Sequence, residues 1–211
     1  MIKYYTPFTN AMVEQTIEKS RFLGHISPVN TKSEADEFID DIRRKFRDAN
    51  HNVPVIILGE KKEIQWASDD GEPRGTAGPP ILNMLIKENI TNLVLVVTRY
   101  FGGIKLGTGG LVRAYTSTAQ QALDKAELAE VKEMTNFFIS FDYTFLSKIE
   151  KLSRDEKFYI RDIQYEDVVK ATLVADSENS EKIKEKVIDL TSGKSEFISE
   201  IKTEEKQKCN I

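Results

Sequence analysis

The sequence predicts an α+β protein with two domains. Some short segments alternate between apolar and polar residues, as strands do, and others repeat apolar residues three and four apart, as helices do. Glycine nearly disappears after Gly110, with Gly193 the only later one, and the pattern changes after Glu130. We therefore place a boundary between an N-terminal domain, residues 1–133, and a C-terminal domain, residues 134–211.

The N-terminal domain begins with two predicted strands, 12–17 and 22–29, joined by a tight link. A helix follows, with Thr31 or Ser33 as its N-cap and basic residues near its end. The remaining predicted elements are strands at 53–58, 64–67 and 92–98 and helices at about 77–87 and 111–126. The last of these strands is apolar and rich in β-branched residues, which predicts burial of both its faces.

The C-terminal domain shows a second succession of elements. They are a strand at 137–143, a helix at 145–152, strands at 159–165 and 168–174, a helix at 177–190 and a strand at 197–201 before a charged tail. This β-α-β-β-α-β order is that of the ferredoxin-like fold. No low-complexity linker separates the two domains.

Composition and charge exclude several classes of protein. Apolar residues make up 40% and charged residues 30%, which excludes an intrinsically disordered chain. The 30 Lys and Arg against 34 Asp and Glu give a net charge of −4, so the chain does not coat nucleic acid over its whole surface. The longest purely apolar run, 93–97, is far shorter than the roughly 20 residues of a membrane-spanning helix.

The expected cellular location and the small number of cysteine and histidine residues further limit the classes of function. The start of the chain lacks the apolar core of a signal peptide, so we expect a cytoplasmic protein with no membrane partner. Cys209 is the only cysteine and cannot form an intrachain disulfide, and two histidines leave little room for a multi-histidine metal site. No serine or cysteine lies in a recognisable nucleophile motif. His51 is a candidate polar site residue, although a lone histidine more often has a structural hydrogen-bonding role.

One stretch departs from the average charge. Residues 89–121 contain no Asp or Glu, whereas the overall frequency of acids predicts about five in a stretch of that length. Arg99, Lys105 and Arg113 give the same stretch a charge of +3. The sequence therefore predicts a focused basic patch within a mildly acidic protein.

The glycine-rich segment, residues 98–113, is the strongest candidate for ligand binding. Glycines let backbone N–H groups approach a phosphate, the following helix start adds partial positive charge, and an aromatic ring can stack on a base. The residues predicted to bind phosphate, RNA or a partner protein are Arg74, Arg99, Tyr100, Phe101, Gly102, Gly103, Lys105, Gly107, Gly109, Gly110 and Arg113. The segment matches neither a P-loop nor a dinucleotide fingerprint, and the alternative is that its glycines only form a tight strand–helix turn.

The acidic loop, residues 68–76, is the second candidate. Asp69, Asp70 and Glu72 place three carboxylates within four residues, which could hold Mg²⁺ with water completing the shell. Paired carboxylates also serve as acid and base where their environments separate their pKa values. The alternative is turn and capping chemistry, with Thr76 or Asp70 as the cap of the next helix.

Three long motifs in the right order resemble the YigZ/IMPACT family. They are Ser68-Asp69-Asp70-Gly71-Glu72-Pro73 continuing to Gly78, Thr98-Arg99-Tyr100-Phe101-Gly102-Gly103 continuing to Gly107, and Gly109-Gly110-Leu111-Val112-Arg113-Ala114-Tyr115. Lys19-Ser20-Arg21-Phe22 and His51-Asn52 fit the same family. The motifs cover about residues 15–125, and the two-domain layout is similar to the bacterial form of the family.

The resemblance implies more than the residue pattern does. It implies that the N-terminal domain shares the fold of the second domain of ribosomal small-subunit protein five, the fourth domain of elongation factor G and GHMP kinases. It implies that the C-terminal domain resembles the ferredoxin-like last domain of elongation factor G. The resemblance further implies that, in eukaryotic relatives, the N-terminal domain restrains an amino-acid-starvation kinase. There it competes for that kinase's ribosome-associated activator. Fold likeness alone counts weakly for function.

We therefore expect a non-enzymatic, translation-associated regulatory protein that binds RNA or a ribosome-associated protein through the glycine-rich segment. No cofactor is expected, although Mg²⁺ stays open. One alternative is a Mg²⁺-dependent enzyme acting on a nucleotide or another phosphorylated small molecule, with the acidic loop holding the metal. The other is a regulator that binds only protein, with Tyr100 and Phe101 as anchors. The sequence does not settle the oligomeric state.

Overall fold

The computed structural model describes residues 2–209, which divide into two compact units. The N-terminal unit holds residues 4–130 and 206–209, and the C-terminal unit holds residues 2–3 and 131–205. Both units are mixed α+β with antiparallel strand ladders, as predicted. The sequence prediction places all of residues 1–133 in one domain and all of residues 134–211 in the other. It therefore does not assign residues 2–3 to the C-terminal unit or residues 206–209 to the N-terminal unit. No helix within the described range is long and apolar enough to cross a membrane.

The N-terminal unit is built on a single five-stranded sheet. Up to residue 126 the elements are β1 (Ile2–Pro7), β2 (Ala11–Ile17), β3 (Ser20–Pro28), α1 (Lys32–Lys45), β4 (His51–Leu58), β5 (Ile64–Ala67), α2 (Gly78–Lys87), β6 (Leu93–Tyr100) and α3 (Gly107–Ala126). The strands of this sheet follow the order β2-β3-β6-β4-β5. The central strand, β6, is thus the one with the least access to solvent.

Helices cover both faces of this sheet. α1 packs on β4 and β6 from one side, and α2 and α3 pack from the other. Successive residues of β6 point to opposite faces, so Val94 and Val96 join the core under α1 while Leu95 and Val97 join the core under α2 and α3. The predicted burial of both faces is confirmed, and of the two predicted caps of α1 Thr31 is the one used, accepting from the Glu34 N–H at 3.2 Å.

The start of α3 differs from the sequence prediction. The helix begins at Gly107, not near Leu111, so three of the five clustered glycines lie in its first turn. Glycine costs about 1 kcal/mol relative to alanine inside a helix, which is why the pattern predicts a loop here. Apolar residues further along α3, among them Leu111 and Tyr115, are buried against the sheet and hold the helix in place despite that cost.

The C-terminal unit follows the predicted β-α-β-β-α-β order. Its elements are β7 (Leu128–Phe141), a short 3-10 turn (Tyr143–Phe145), α4 (Leu146–Glu156), β8 (Tyr159–Tyr165), β9 (Val169–Asp176), α5 (Ser180–Leu190) and β10 (Glu196–Lys208). The sheet order is β1-β7-β9-β8, with β10 also paired to β7. Ile149 of α4 and Ile183 and Val187 of α5 share one core with β7 and β9.

Three strands of this second sheet differ from the prediction: two are longer than predicted, and one was not predicted. β7 starts at Leu128 rather than at 137, β10 continues through the predicted charged tail, and β1 has no counterpart among the predicted elements. β10 is exposed along most of its length, so it lacks the apolar alternation by which a strand is detected. Pairing with β7, rather than burial of side chains, defines it as a strand.

Candidate functional site

The candidate site lies at one end of the N-terminal sheet, where three strands meet. Because β6 runs antiparallel to both β3 and β4, the end of β6 lies beside the starts of its two neighbours. Arg99 near the end of β6 faces Phe22 on β3 and His51 on β4 in the registers of the two ladders. The sheet therefore brings together residues that are far apart in the sequence.

A buried ion pair joins this strand end to the acidic loop. Arg99 Nη1 donates to Glu72 Oε1 at 2.7 Å, and the two side chains are only 6% and 3% exposed. The Tyr115 hydroxyl of α3 donates to the same oxygen at 2.7 Å, and Arg99 Nη2 donates to Ser20 Oγ at 3.3 Å. Burial and the Glu72 carboxylate raise the pKa of Tyr115 well above its usual range. The charge predicted at Arg99 is therefore neutralised within the protein.

The Arg99 guanidinium also lies between two aromatic rings. Its Cζ is 5.4 Å from the ring centre of Phe22 and 5.4 Å from that of Phe101. Arg99 Nε is buried and has no hydrogen-bond partner among residues 2–209. Two of the three guanidinium nitrogens thus hold the fold, and the third is left without an acceptor.

His51 lies on the other side of Glu72. Its Nδ1 is 2.8 Å from the Asp70 carbonyl oxygen, and since a carbonyl only accepts, the bonding pattern assigns the hydrogen to Nδ1. Its Nε2 lies 3.7 Å from Glu72 Oε1, beyond direct hydrogen-bonding distance. His51 is therefore oriented by the acidic loop, with Nε2 directed towards the buried carboxylate.

The first carboxylate of the acidic loop closes the loop and caps α2. Asp69 Oδ2 accepts from the Gly75 N–H at 2.7 Å, and Oδ1 accepts from the N–H groups of Ala77 and Gly78 at 3.0 and 3.1 Å. The predicted caps of this helix were Thr76 or Asp70, and that assignment is wrong. The Thr76 hydroxyl instead donates to the Pro73 carbonyl at 2.7 Å. Asp69 can cap from a distance because the loop folds back over the helix start.

Asp70 fastens the loop to the sheet. Its Oδ2 accepts from the Asn52 N–H at 2.6 Å, and its Oδ1 lies 3.6 Å from Arg43 of α1. Within residues 2–209 there is no group of three or more His, Cys, Asp or Glu side chains placed to hold a metal ion. The contacts of Asp69 and Asp70 are those of turn and cap residues, the alternative to metal binding that the sequence left open.

The glycine-rich segment divides into two parts with different roles. A Cβ added at Gly102 would lie 2.0 Å from the backbone carbonyl of Lys19, so this glycine permits close packing against the start of β3. Gly103 is exposed in the loop that follows. Gly107 begins α3 with a φ of +67°, a conformation that side-chain-bearing residues rarely adopt. The packing role of Gly102 and the turn at Gly107 together position the first turn of α3.

The first turn of α3 carries no acid and no side-chain cap. Its N–H groups therefore lack the partners that capping residues supply, and they carry the positive end of the helix dipole. A Cβ added at Gly109 would lie 3.6 Å from Arg113 Nη1, which shows that this guanidinium folds back over the same turn. Gly110 packs beneath, where a Cβ would lie 3.0 Å from that of Leu106.

An open groove, here called the α3 groove, joins these features. Its volume is about 470 Å³, and it is lined by Asn50, His51, Glu72, Pro73, Arg99, Phe101, Lys105, Leu106, Gly107, Thr108 and Leu111. The side chains of Lys105 and Arg113 are exposed and make no ion pair or hydrogen bond within the described part of the chain. The groove thus combines a helix N-terminus, one free lysine, an exposed aromatic ring and a buried carboxylate.

Nine of the fifteen predicted site residues do not line the α3 groove, namely Asp69, Asp70, Arg74, Tyr100, Gly102, Gly103, Gly109, Gly110 and Arg113. The Tyr100 hydroxyl donates to Asp48 at 2.9 Å, the Arg21 guanidinium lies 5.3 Å from its ring centre, and the residue does not line the groove. Arg74 is exposed in the acidic loop and does not line the groove. Phe101, 46% exposed, is therefore the aromatic residue at this site.

The sequence reasoning missed Tyr115 and Ser20 as site residues. Both side chains are buried and both bond to the Glu72–Arg99 pair. Tyr115 falls in an ordinary helical pattern and Ser20 in a tight turn, so periodicity gives no reason to select them. The only signal in the sequence is that both lie inside the motifs that resemble the YigZ/IMPACT family.

The family models divide the chain as the structure does, into an N-terminal and a C-terminal part. A model described as the Impact N-terminal domain matches residues 18–123, half of the chain, including the entire α3 groove. The chain belongs to the IMPACT family. A second model, described as a domain of unknown function (DUF1949), matches residues 139–194. The family recognised from the sequence motifs is confirmed.

Similar proteins cover both parts of this IMPACT family chain. IMPACT family member YvyE of Bacillus subtilis (strain 168) is 42% identical over 194 residues, which are 92% of this chain and 89% of that protein. IMPACT family member YigZ of Escherichia coli (strain K12) is 35% identical over 154 residues, 72% of this chain and 76% of that protein. A crystal structure described as that of a hypothetical protein is 29% identical and superposes with a TM-score of 0.60, covering 94% of this chain and 98% of that one.

Proposed function

We propose that this IMPACT family chain is a non-enzymatic, translation-associated regulatory protein that binds RNA through the α3 groove. The link to translation is supported by what the resemblance implies for eukaryotic relatives, and this chain is a member of the same IMPACT family. The observation that carries RNA binding is the first turn of α3, which opens into the groove without an acid or a side-chain cap. Backbone N–H groups in this setting bind phosphate oxygens.

The charges around the groove support a phosphate rather than a cation as the ligand. Arg99 and Glu72 neutralise each other, so the free charges are those of Lys105 in the groove and Arg113 beside it. A helix N-terminus adds about half of an elementary charge. The groove is therefore positive although the whole chain carries −4.

RNA is favoured over a protein partner because of what surrounds the phosphate site. Phe101 offers an exposed ring on the same groove, and aromatic rings beside basic side chains bind the bases of single-stranded nucleic acid. A surface that binds only protein is commonly more apolar at its centre. The lining of the α3 groove includes the Glu72–Arg99 pair and His51 besides its apolar residues.

Salt dependence of binding tests this function. We expect the affinity for a fluorescent single-stranded RNA to fall steeply with salt, and we expect Lys105→Ala and Arg113→Ala each to lower the slope of log affinity against log salt by about 0.7. Lys61→Ala is the matched control, because Lys61 is exposed in the turn between β4 and β5, beyond the opposite end of β4.

Two results would contradict the proposal. A flat salt response would exclude binding through phosphates. RNA binding that is undetectable, together with capture of a ribosome-associated protein that resists nuclease treatment, would favour the protein-binding alternative.

A further inference from the structure

We propose that the α3 groove takes one unpaired nucleotide of RNA, with its base on Phe101 and an exocyclic amino group of that base donating to Glu72 Oε2. The inference rests on the proposed function and deepens it, because phosphate binding alone predicts no preference among bases. It assigns a role to two groups that the phosphate site does not use. These are the exposed ring of Phe101 and the second oxygen of the buried carboxylate.

Phe101 is held in place as a stacking surface. Its backbone N–H donates to Asn50 Oδ1 at 2.7 Å, and the Arg99 guanidinium lies 5.4 Å from its ring centre. The side chain is nevertheless 46% exposed and lines the groove. A ring fixed by its backbone and by a neighbouring cation, yet open to solvent, loses little freedom when a base stacks on it.

Glu72 supplies a directional acceptor in the same groove. Its side chain is only 3% exposed, and Oε1 already accepts from Arg99 and Tyr115. Oε2 has no hydrogen-bond partner among residues 2–209, although the residue lines the groove. An acceptor that is left open beside the groove favours a ligand that brings an N–H group.

The acceptor discriminates between bases. Cytosine and adenine each present an exocyclic amino group, whereas uracil presents its single N–H between two carbonyl oxygens. Those oxygens repel a carboxylate, and Glu72 has only one free oxygen with which to bond. The groove therefore favours cytosine over uracil at the one nucleotide it holds.

The size of the groove limits the ligand to one nucleotide. Its volume of about 470 Å³ falls within the range of about 300–1,000 Å³ that accommodates small molecules. A base in a duplex is paired and stacked on both sides, so it cannot lie flat on Phe101. The ligand is thus an unpaired nucleotide at a chain end or in a loop.

Oligocytidine and oligouridine decamers provide a matched test, because they differ in base edge but not in backbone. By fluorescence anisotropy we expect the wild-type protein to bind oligocytidine about tenfold more tightly than oligouridine. We expect Phe101→Leu to weaken both decamers by about tenfold and Glu72→Gln to abolish the preference between them. Tyr143→Leu is the control, because Tyr143 is an exposed aromatic residue of the C-terminal unit.

The outcomes separate this inference from the proposed function. Equal affinities for the two decamers, with Phe101→Leu unchanged, would overturn the inference while leaving RNA binding intact. Absence of binding to either decamer would overturn both the inference and the proposed function.

Tighter binding to a duplex of the same length would overturn the unpaired-nucleotide assignment. If cytidine monophosphate bound as tightly as oligocytidine, the ligand would be a free nucleotide and the assignment to RNA would be wrong. The comparison of decamers uses wild-type protein, so it stands even if Glu72→Gln fails to fold.

Discussion

The acidic loop and the glycine-rich segment carry opposite charges and use them in opposite ways. In the acidic loop Asp69, Asp70 and Glu72 all accept hydrogen bonds from the protein itself. In the glycine-rich segment the side chains of Lys105 and Arg113 have no ion-pair or hydrogen-bond partner within residues 2–209. Arg99 is the exception, since it extends to the acidic loop and is neutralised there. The acids therefore hold the site together, whereas the two free basic side chains stay unpaired, as the proposed RNA binding requires.

The largest expected effect comes from breaking the link between the two regions. Glu72→Ala leaves Arg99 buried without a counter-charge, and breaking such a pair costs about 3–5 kcal/mol of unfolding free energy. Urea denaturation measures it. Glu37→Ala, at an exposed position of α1, is the control and should change stability by less than about 0.5 kcal/mol. A loss below about 1 kcal/mol for Glu72→Ala would mean that the pair does not hold the loop to the strand.

The pH dependence of the free energy of unfolding tests the core of the N-terminal unit independently of the candidate site. His25 is buried beside Phe46, and burial, aided by the charge of Lys45, lowers its pKa from 6.5 to about 4. Between these values the unfolded chain binds a proton that the folded chain does not, so stability falls as the pH drops from 6.5 to 4, by about 3 kcal/mol in total. His25→Phe should remove this part of the loss in denaturation curves recorded across the range. An unchanged pH profile for that variant would show that His25 titrates normally in the fold.

Alanine substitutions at two glycines test whether the two parts of the glycine-rich segment have different roles. Gly102→Ala forces a Cβ onto the Lys19 backbone and should lower the free energy of unfolding by about 1–3 kcal/mol. In Gly109→Ala the added Cβ contacts only the Arg113 side chain, at 3.6 Å. This substitution should raise the free energy of unfolding by about 0.5–1 kcal/mol, because alanine favours a helix. Thermal unfolding of the two variants measures both. Equal effects would contradict the division of the segment into a packing part and a ligand-facing part.

The sequence predicts those elements whose side chains are buried in a regular pattern. The helix α1, with its cap narrowed to Thr31 or Ser33, and the doubly buried strand β6 follow directly from spacing and composition. β10 is not predictable beyond its first residues, because pairing with β7 defines it while its side chains stay exposed. The start of α3 was misplaced for the opposite reason, since buried residues later in the helix outweigh the low helix propensity of its glycines.

The candidate site was predictable in location but not in detail. The absence of acids between 89 and 121 indicates the basic segment, and the motifs indicate both loops. Charge alone cannot show that Arg99 is buried against Glu72, because this contact depends on the register between β6 and its neighbours. It also cannot show that Phe101 lines the groove while Tyr100, bonded to Asp48, does not.

The most direct test of the central claim compares the backbone amides of the two regions by NMR during titration with a single-stranded RNA oligonucleotide. We expect the amide signals of Gly107, Thr108 and Gly109 to shift, because all three lie in the uncapped first turn of α3 and the first two line the groove. The amides of Gly75, Ala77 and Gly78 are already bonded to Asp69 and should stay in place. Shifts confined to the acidic-loop amides or to the C-terminal unit, with Gly107 to Gly109 unmoved, would contradict the account.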